Sequence, residues 1–126
     1  MADRTEIVRA DERLVIAKTF IELVGEIRSV VLPDGSNDVG TLLVAAAVLV
    51  GHIEGRAMSA SKIAHYVALP RTTVIRRLDE LVRRGVIERR GRVYCLLPAR
   101  NREVLAAMVR RAMRTIKGAA DALSRV

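Results

Sequence analysis

The side chains of this chain best equipped for chemistry are arginines and threonines, and their spacing suits recognition of a polyanion rather than bond making. Arg71, Thr72, Thr73 and Arg76 fall close together, and Arg89, Arg90 and Arg92 follow around Gly91. A guanidinium can donate two parallel bonds to guanine O6 and N7, while a threonine can bond a phosphate or touch a thymine methyl. No nucleophile stands beside a base, and there is no glycine-rich phosphate loop or paired acidic site, so an enzyme is not expected. His52 and His65 have no ligand partners at metal spacing, so neither a metal nor another cofactor is expected. The single cysteine, Cys95, alternates with Val93 and Leu97 and reads as a buried structural thiol.

Charge supports the polyanion reading through its distribution. The 126 residues carry a formal +8. Residues 1–55 hold 5 basic and 9 acidic side chains, residues 56–97 hold 10 and 3, and residues 98–126 hold 7 and 2. A basic block following an acidic one is the footprint of an anionic partner. The most apolar stretch, Val39 to Ile53, is shorter than the roughly 20 residues a membrane span requires, so no membrane partner is expected. The first residues are charged and lack an apolar core, which reads as a cytoplasmic protein without a secretory signal.

These residues need a scaffold, and the pattern supplies one. With 51% hydrophobic residues and almost no aromatics, the chain suits a single, mostly helical domain over 1–126. An amphipathic helix is expected from Glu6 to Leu32, stopped by Pro33-Asp34-Gly35-Ser36-Asn37. A second helix, Asp38 to Glu54, is apolar almost all round and should sit at the centre of the core, so that 6–54 forms the N-terminal helical part. Gly55 to Met58 can form a very short strand, and Ser59 caps a third helix over Ala60 to Ala68 that buries Ile63, Ala64 and Val67. Leu69-Pro70 ends that helix and places Pro70 in the first turn of a fourth, which runs to Arg84 and stops at Gly85. Alternation from Val86 to Leu97 about Gly91 predicts a hairpin, and Pro98 ends it. A last helix follows within 99–125, starting near Asn101.

Two helices with a tight connection and a basic hairpin make a winged helix-turn-helix over 56–97, in the order α-α-β-α-α-β-β-α with long terminal helices. Setting Leu78 at zero on a wheel of about 100° per residue puts Val74, Leu81 and Val82 within about 60° of it. These four should anchor the fourth helix. Thr72, Thr73 and Arg76 fall on the opposite side as candidate groove residues, and Ile75 lies at the edge, where packing is expected. Arg71, Lys62 and the wing arginines Arg89, Arg90 and Arg92 are candidate phosphate or minor-groove contacts. In the terminal helices Phe20, Val24 and Ile27, and Leu105, Met108, Ala112, Ile116 and Leu123, recur at helical steps as a candidate dimer seam.

The segment MSASKIAHYVALPRTTVIRRLDELVRRGVIERRGRVYCL resembles the winged-helix domain of the MarR and IclR families of bacterial transcription regulators. The resemblance rests on Ile63-Ala64, Leu69-Pro70-Arg71-Thr72-Thr73-Val74, Arg76 with Leu78, Leu81 and the Arg84-Gly85 stop. Long helices flanking the motif resemble the MarR arrangement, which implies a homodimer whose chain ends interlock. The expected function is sequence-specific binding of double-stranded DNA by that homodimer, with no small-molecule effector specified. A winged-helix protein-interaction module is the alternative. RNA is disfavoured because few aromatics are available to stack unpaired bases.

Overall fold

The computed structural model describes residues 4–32, 38–97 and 102–125. Over these the chain runs α1 (Arg4–Val31), α2 (Val39–Ile53), β1 (Met58–Ser59), α3 (Ala60–Val67), α4 (Arg71–Arg83), β2 (Ile87–Arg90), β3 (Val93–Leu96) and α5 (Arg102–Ser124). This is the order expected for a winged helix-turn-helix. The turn predicted at Pro33 to Asn37, the stop at Pro98 and the helix start at Asn101 lie outside the described residues. Two compact units emerge, one of α1 with α5 and one running from α2 to β3.

In the winged unit, α2 starts at Asp38, whose extended backbone lets Oδ1 accept the Thr41 N–H at 3.2 Å. One face of α2 is buried through Leu42, Val44, Ala45, Ala47 and Val48. The expectation that α2 is enclosed on all sides is corrected, because Val39, Leu43 and Ile53 are exposed. Gly51 ends the buried face where the chain doubles back: a Cβ there would lie 2.8 Å from the Arg56 carbonyl oxygen. The Arg56 N–H donates to the Gly51 carbonyl at 2.8 Å, so the reversal needs the missing side chain.

That reversal delivers β1, which forms at Met58–Ser59 and overlaps the expected Gly55 to Met58 only at Met58. It pairs antiparallel with β3 in a sheet of order β1-β3-β2. Ser59 caps α3 by accepting the Lys62 N–H at 3.2 Å. Of the three residues α3 was expected to bury, Ile63 and Ala64 are buried and Val67 is half-buried. Ala68 then turns the chain through the left-handed region, at φ 58° and ψ 44°, and the Leu69 N–H also returns to the Ala64 carbonyl. Pro70 sits just before α4 as its N-cap rather than inside the first turn. Its carbonyl accepts the Val74 N–H at 3.0 Å, a role that needs no N–H of its own.

Val74, Leu78 and Leu81 are completely buried and meet Ile63, Val44, Val48 and Ile87 in the core. Val82 does not join them, being 38% exposed. The buried sector of α4 is centred between Leu78 and Leu81, about 35° away from Leu78 on the side opposite Val82, so Val82 falls past its edge. In the hairpin, Arg90 pairs with Val93 across a two-residue turn, with Gly91 at φ 63° in its first position. That is the position a type II′ turn reserves for glycine. Cys95 is buried, as its alternation predicts.

In the helical unit α1 and α5 run antiparallel. Thr115 Oγ1 donates to Glu26 Oε1 at 2.6 Å, and the Arg111 guanidinium reaches Ser29 Oγ at 3.5 Å. The expected α5 seam is split by this arrangement. Met108 is only 8% exposed, and Ala112 and Ala119 are half-buried. Leu105, Val109, Met113, Ile116 and Leu123 form the exposed apolar edge instead. On α1 Phe20 is 59% exposed, with Val24 and Ile27 half-buried.

Candidate nucleic-acid interface

The start of α3, one side of α4 and the wing enclose a cleft of about 540 Å³. Ser59 and Ser61 come from the start of α3, Arg71, Ile75 and Asp79 from α4, and Arg89, Arg92 and Tyr94 from the hairpin. The turn at Ala68 and Pro70 sets α4 against α3 so that Arg71 Nε donates to Ser61 Oγ at 2.9 Å. Pairing of Met58 with Tyr94 and of Arg89 with Tyr94 brings the wing to the same side. The Arg89 guanidinium lies 6.0 Å from the Tyr94 ring centroid, and its Nε donates to the Gly91 carbonyl at 2.8 Å. Arg71, Arg89 and Arg92 therefore converge on one cleft.

Of the candidate groove residues, Thr72 and Arg76 are exposed and Thr73 is half-buried. Neither the Thr72 nor the Arg76 side chain makes a hydrogen bond or ion pair among the described residues. Their donors are thus available to a partner. No side chain caps the first turn of α4, and an uncapped helix start is a favourable place for an anion. Ile75 is half-buried against the cleft, consistent with packing.

The remaining basic residues differ in how committed they are. Lys62 and Arg92 are exposed without side-chain partners among the described residues. Arg90, a candidate DNA contact, is paired to Glu88 on its own strand. Glu80 takes hydrogen bonds from Arg83 and Arg84, and these hold its carboxyl below the ordinary carboxylate range.

The sequence reading missed Ser61, which positions Arg71, and Asp79, an exposed carboxylate in the cleft. It also missed the ion pair of Arg77 with Asp38 at 2.8 Å. The sequence offers Asn37 or Asp38 as the cap of the second helix, and in the structure Asp38 takes that role. Its second role was not legible, because pairing across 39 positions follows only from the packing of α2 on α4. Among the described residues no group of three or more His, Cys, Asp or Glu side chains could hold a metal ion. No described helix is long and apolar enough to cross a membrane.

Comparison with known proteins agrees with this geometry. Residues 54–91 match the IclR helix-turn-helix domain, a span that runs from the end of α2 through the wing turn. No match was found among curated proteins. The crystal structure of Sco5413, a MarR family transcriptional regulator from Streptomyces coelicolor, is similar in fold with a TM-score of 0.55. The two are 24% identical, and the match covers 84% of this chain and 75% of that one. The chain is a winged helix-turn-helix protein, with an IclR-type helix-turn-helix in its sequence and a MarR-like fold around it.

Proposed function

We propose that this chain is a transcription regulator that binds double-stranded DNA as a homodimer in the cytoplasm, at the nucleoid. The observation that carries the reading is the unpartnered Thr72 and Arg76 face of α4 beside a cleft lined by Arg71, Arg89 and Arg92. In this reading α4 enters the major groove, with Thr72, Thr73 and Arg76 toward base edges. Arg71, Lys62 and the wing residues Arg89, Arg90 and Arg92 meet the backbone or the adjoining minor groove. The match to an IclR helix-turn-helix domain and the MarR-like fold support it.

The dimer rests on the exposed apolar residues of α1 and α5. Phe20, Leu105, Ile116 and Leu123 point away from the chain's own core, and two antiparallel helices alone leave their outer faces wet. A second copy covering them would give the regulator two α4 helices, and such a pair reads a palindromic site when its half-sites lie about one DNA turn apart.

Selection of bound duplexes from a random pool, at a stated salt concentration, tests binding, symmetry and sequence together. The expected result is a palindromic consensus whose affinity falls with salt at a log-log slope of about −4 to −5, from about five neutralised phosphates. Arg76→Ala should relax preference at one position per half-site while leaving the oligomer intact. Failure to enrich any sequence would favour a protein-interaction module.

A further inference from the structure

We infer that the Asp38–Arg77 pair is a positioning clamp that fixes the rotation of α4 about its own axis, and so decides where Thr72 and Arg76 point. The inference rests on the DNA-binding reading above.

The buried contacts of α4 come from Val74, Leu78 and Leu81, which share a sector of about 60°. Apolar contacts of this kind hold a helix down but are non-directional, and a narrow sector resists rolling poorly. Arg77 lies about 100° around the helix from Leu78, beyond the edge of that sector. Its guanidinium meets Asp38 Oδ2 at 2.8 Å, while Oδ1 of the same carboxylate accepts the Thr41 N–H. One carboxylate is therefore fastened to the first turn of α2 and to the middle of α4. Arg77 Nε is sealed from solvent without a hydrogen-bond partner. The Arg77 and Asp38 side chains are each 34% exposed, so the pair sits half-buried at the edge of the α2–α4 contact.

Gly40 lies close beside the pair. A Cβ at Gly40 would lie 3.1 Å from Asp38 Oδ1 and 4.0 Å from Arg77 Nε. A larger residue would crowd the carboxylate between the two helices. Rolling α4 by about 20° would shift atoms on its surface by about 2 Å, given a radius of about 5 Å. That exceeds the tolerance of a hydrogen bond to a base edge. Arg77 is therefore a positioning residue, and its neighbour Arg76 is the residue it aims.

The test uses Asp38→Asn, which keeps an oxygen for the Thr41 N–H but removes the charge, and Arg77→Met, which keeps an apolar stem. Binding is measured to the duplex enriched by the wild-type chain and to a random-sequence duplex of equal length, across a salt series. Each variant should lose about tenfold in the affinity ratio between the two duplexes, comparable to one misread base pair. The salt slope should stay unchanged, and the double variant should be no worse than either single one. Flattening of the slope by about 0.9 in Arg77→Met would make Arg77 a phosphate ligand and overturn the clamp. An unchanged ratio in Asp38→Asn would overturn it equally. If Arg77→Met does not fold, Asp38→Asn carries the test.

A second arm needs no DNA. Arginine side-chain NMR of the free protein should show a slowly exchanging Arg77 Nε–H in the wild type and a fast one in Asp38→Asn. Fast exchange in the wild type would sink the clamp. A wild-type chain that enriches no duplex would sink the DNA reading instead, and the NMR arm would then decide the clamp by itself.

Discussion

Side chains of the same type are committed to different degrees, and that difference can be measured. Arg90 is tied to Glu88, while Arg92 has no partner among the described residues. A phosphate contact by Arg92 requires no prior bond to break. Arg92→Ala should accordingly reduce the salt slope by about 0.9, whereas Arg90→Ala should reduce it by less, as filter binding across a salt series would show. Equal reductions would mean that the Glu88 pair is too weak to compete. The helix-turn-helix turn offers a second residue-level test. Ala68 is exposed and holds φ 58°, a conformation costing roughly 1–2 kcal/mol for a residue with a Cβ. Ala68→Gly should therefore raise stability by about 1 kcal/mol in urea unfolding, less the chain entropy that glycine adds to the unfolded state. The strained position was invisible in the sequence, since alanine there reads as the last residue of α3.

At the scale of elements, the legible features were those set by local chemistry. Asp38 and Ser59 cap, Leu69-Pro70 breaks, and Gly91 turns, each for a reason contained in a few neighbouring residues. Gly91→Ala should cost the hairpin about 1 kcal/mol and weaken DNA binding through the wing, read by urea unfolding and titration of the selected duplex. The features that could not be read depend on which of two adjacent faces meets a neighbour. On α4 the sequence placed Val82 in the core, because its wheel position differs from that of Leu78 by only about 40°. The structure fills that sector from the other side, through Leu81 and the Arg77 pair. On α5 two apolar stripes run side by side, and only the folded chain shows that Met108 is buried and Val109 exposed. The last turn of α4 adds a pH dependence. Glu80 has its pKa lowered from 4.5, first by the Arg83 hydrogen bond and then by Arg84. A lowered folded-state pKa gives stability that is present above about pH 4.5 and lost as pH falls through the folded value. The melting-temperature difference between the wild type and Glu80→Gln should shrink as pH falls below that range.

At the scale of the whole molecule, the proposed regulator depends on linking two weak readers into one strong one. A single α4 reaches few base edges, and each good bidentate contact contributes only about 1–3 kcal/mol of discrimination. Two linked readers gain from effective concentration, and avidity of this kind reaches about 10²–10⁴ over one module alone. The exposed apolar edge of α5, with Ile116 53% and Met113 48% exposed, is the surface through which the proposed partner would be held. Both residues lie in the helical unit rather than in the winged unit. Replacing both by glutamate should therefore yield a monomer by analytical ultracentrifugation that keeps the wild-type circular dichroism spectrum. Its affinity for the palindromic duplex should fall by about 10²–10⁴, while its affinity for an isolated half-site should match that of the wild type. A wild-type chain that sediments as a monomer at micromolar concentration would remove the basis for the dimer. A double variant that stays dimeric would move the interface to another surface, with the exposed Val39, Leu43 and Ile53 edge of α2 as the next apolar face to test.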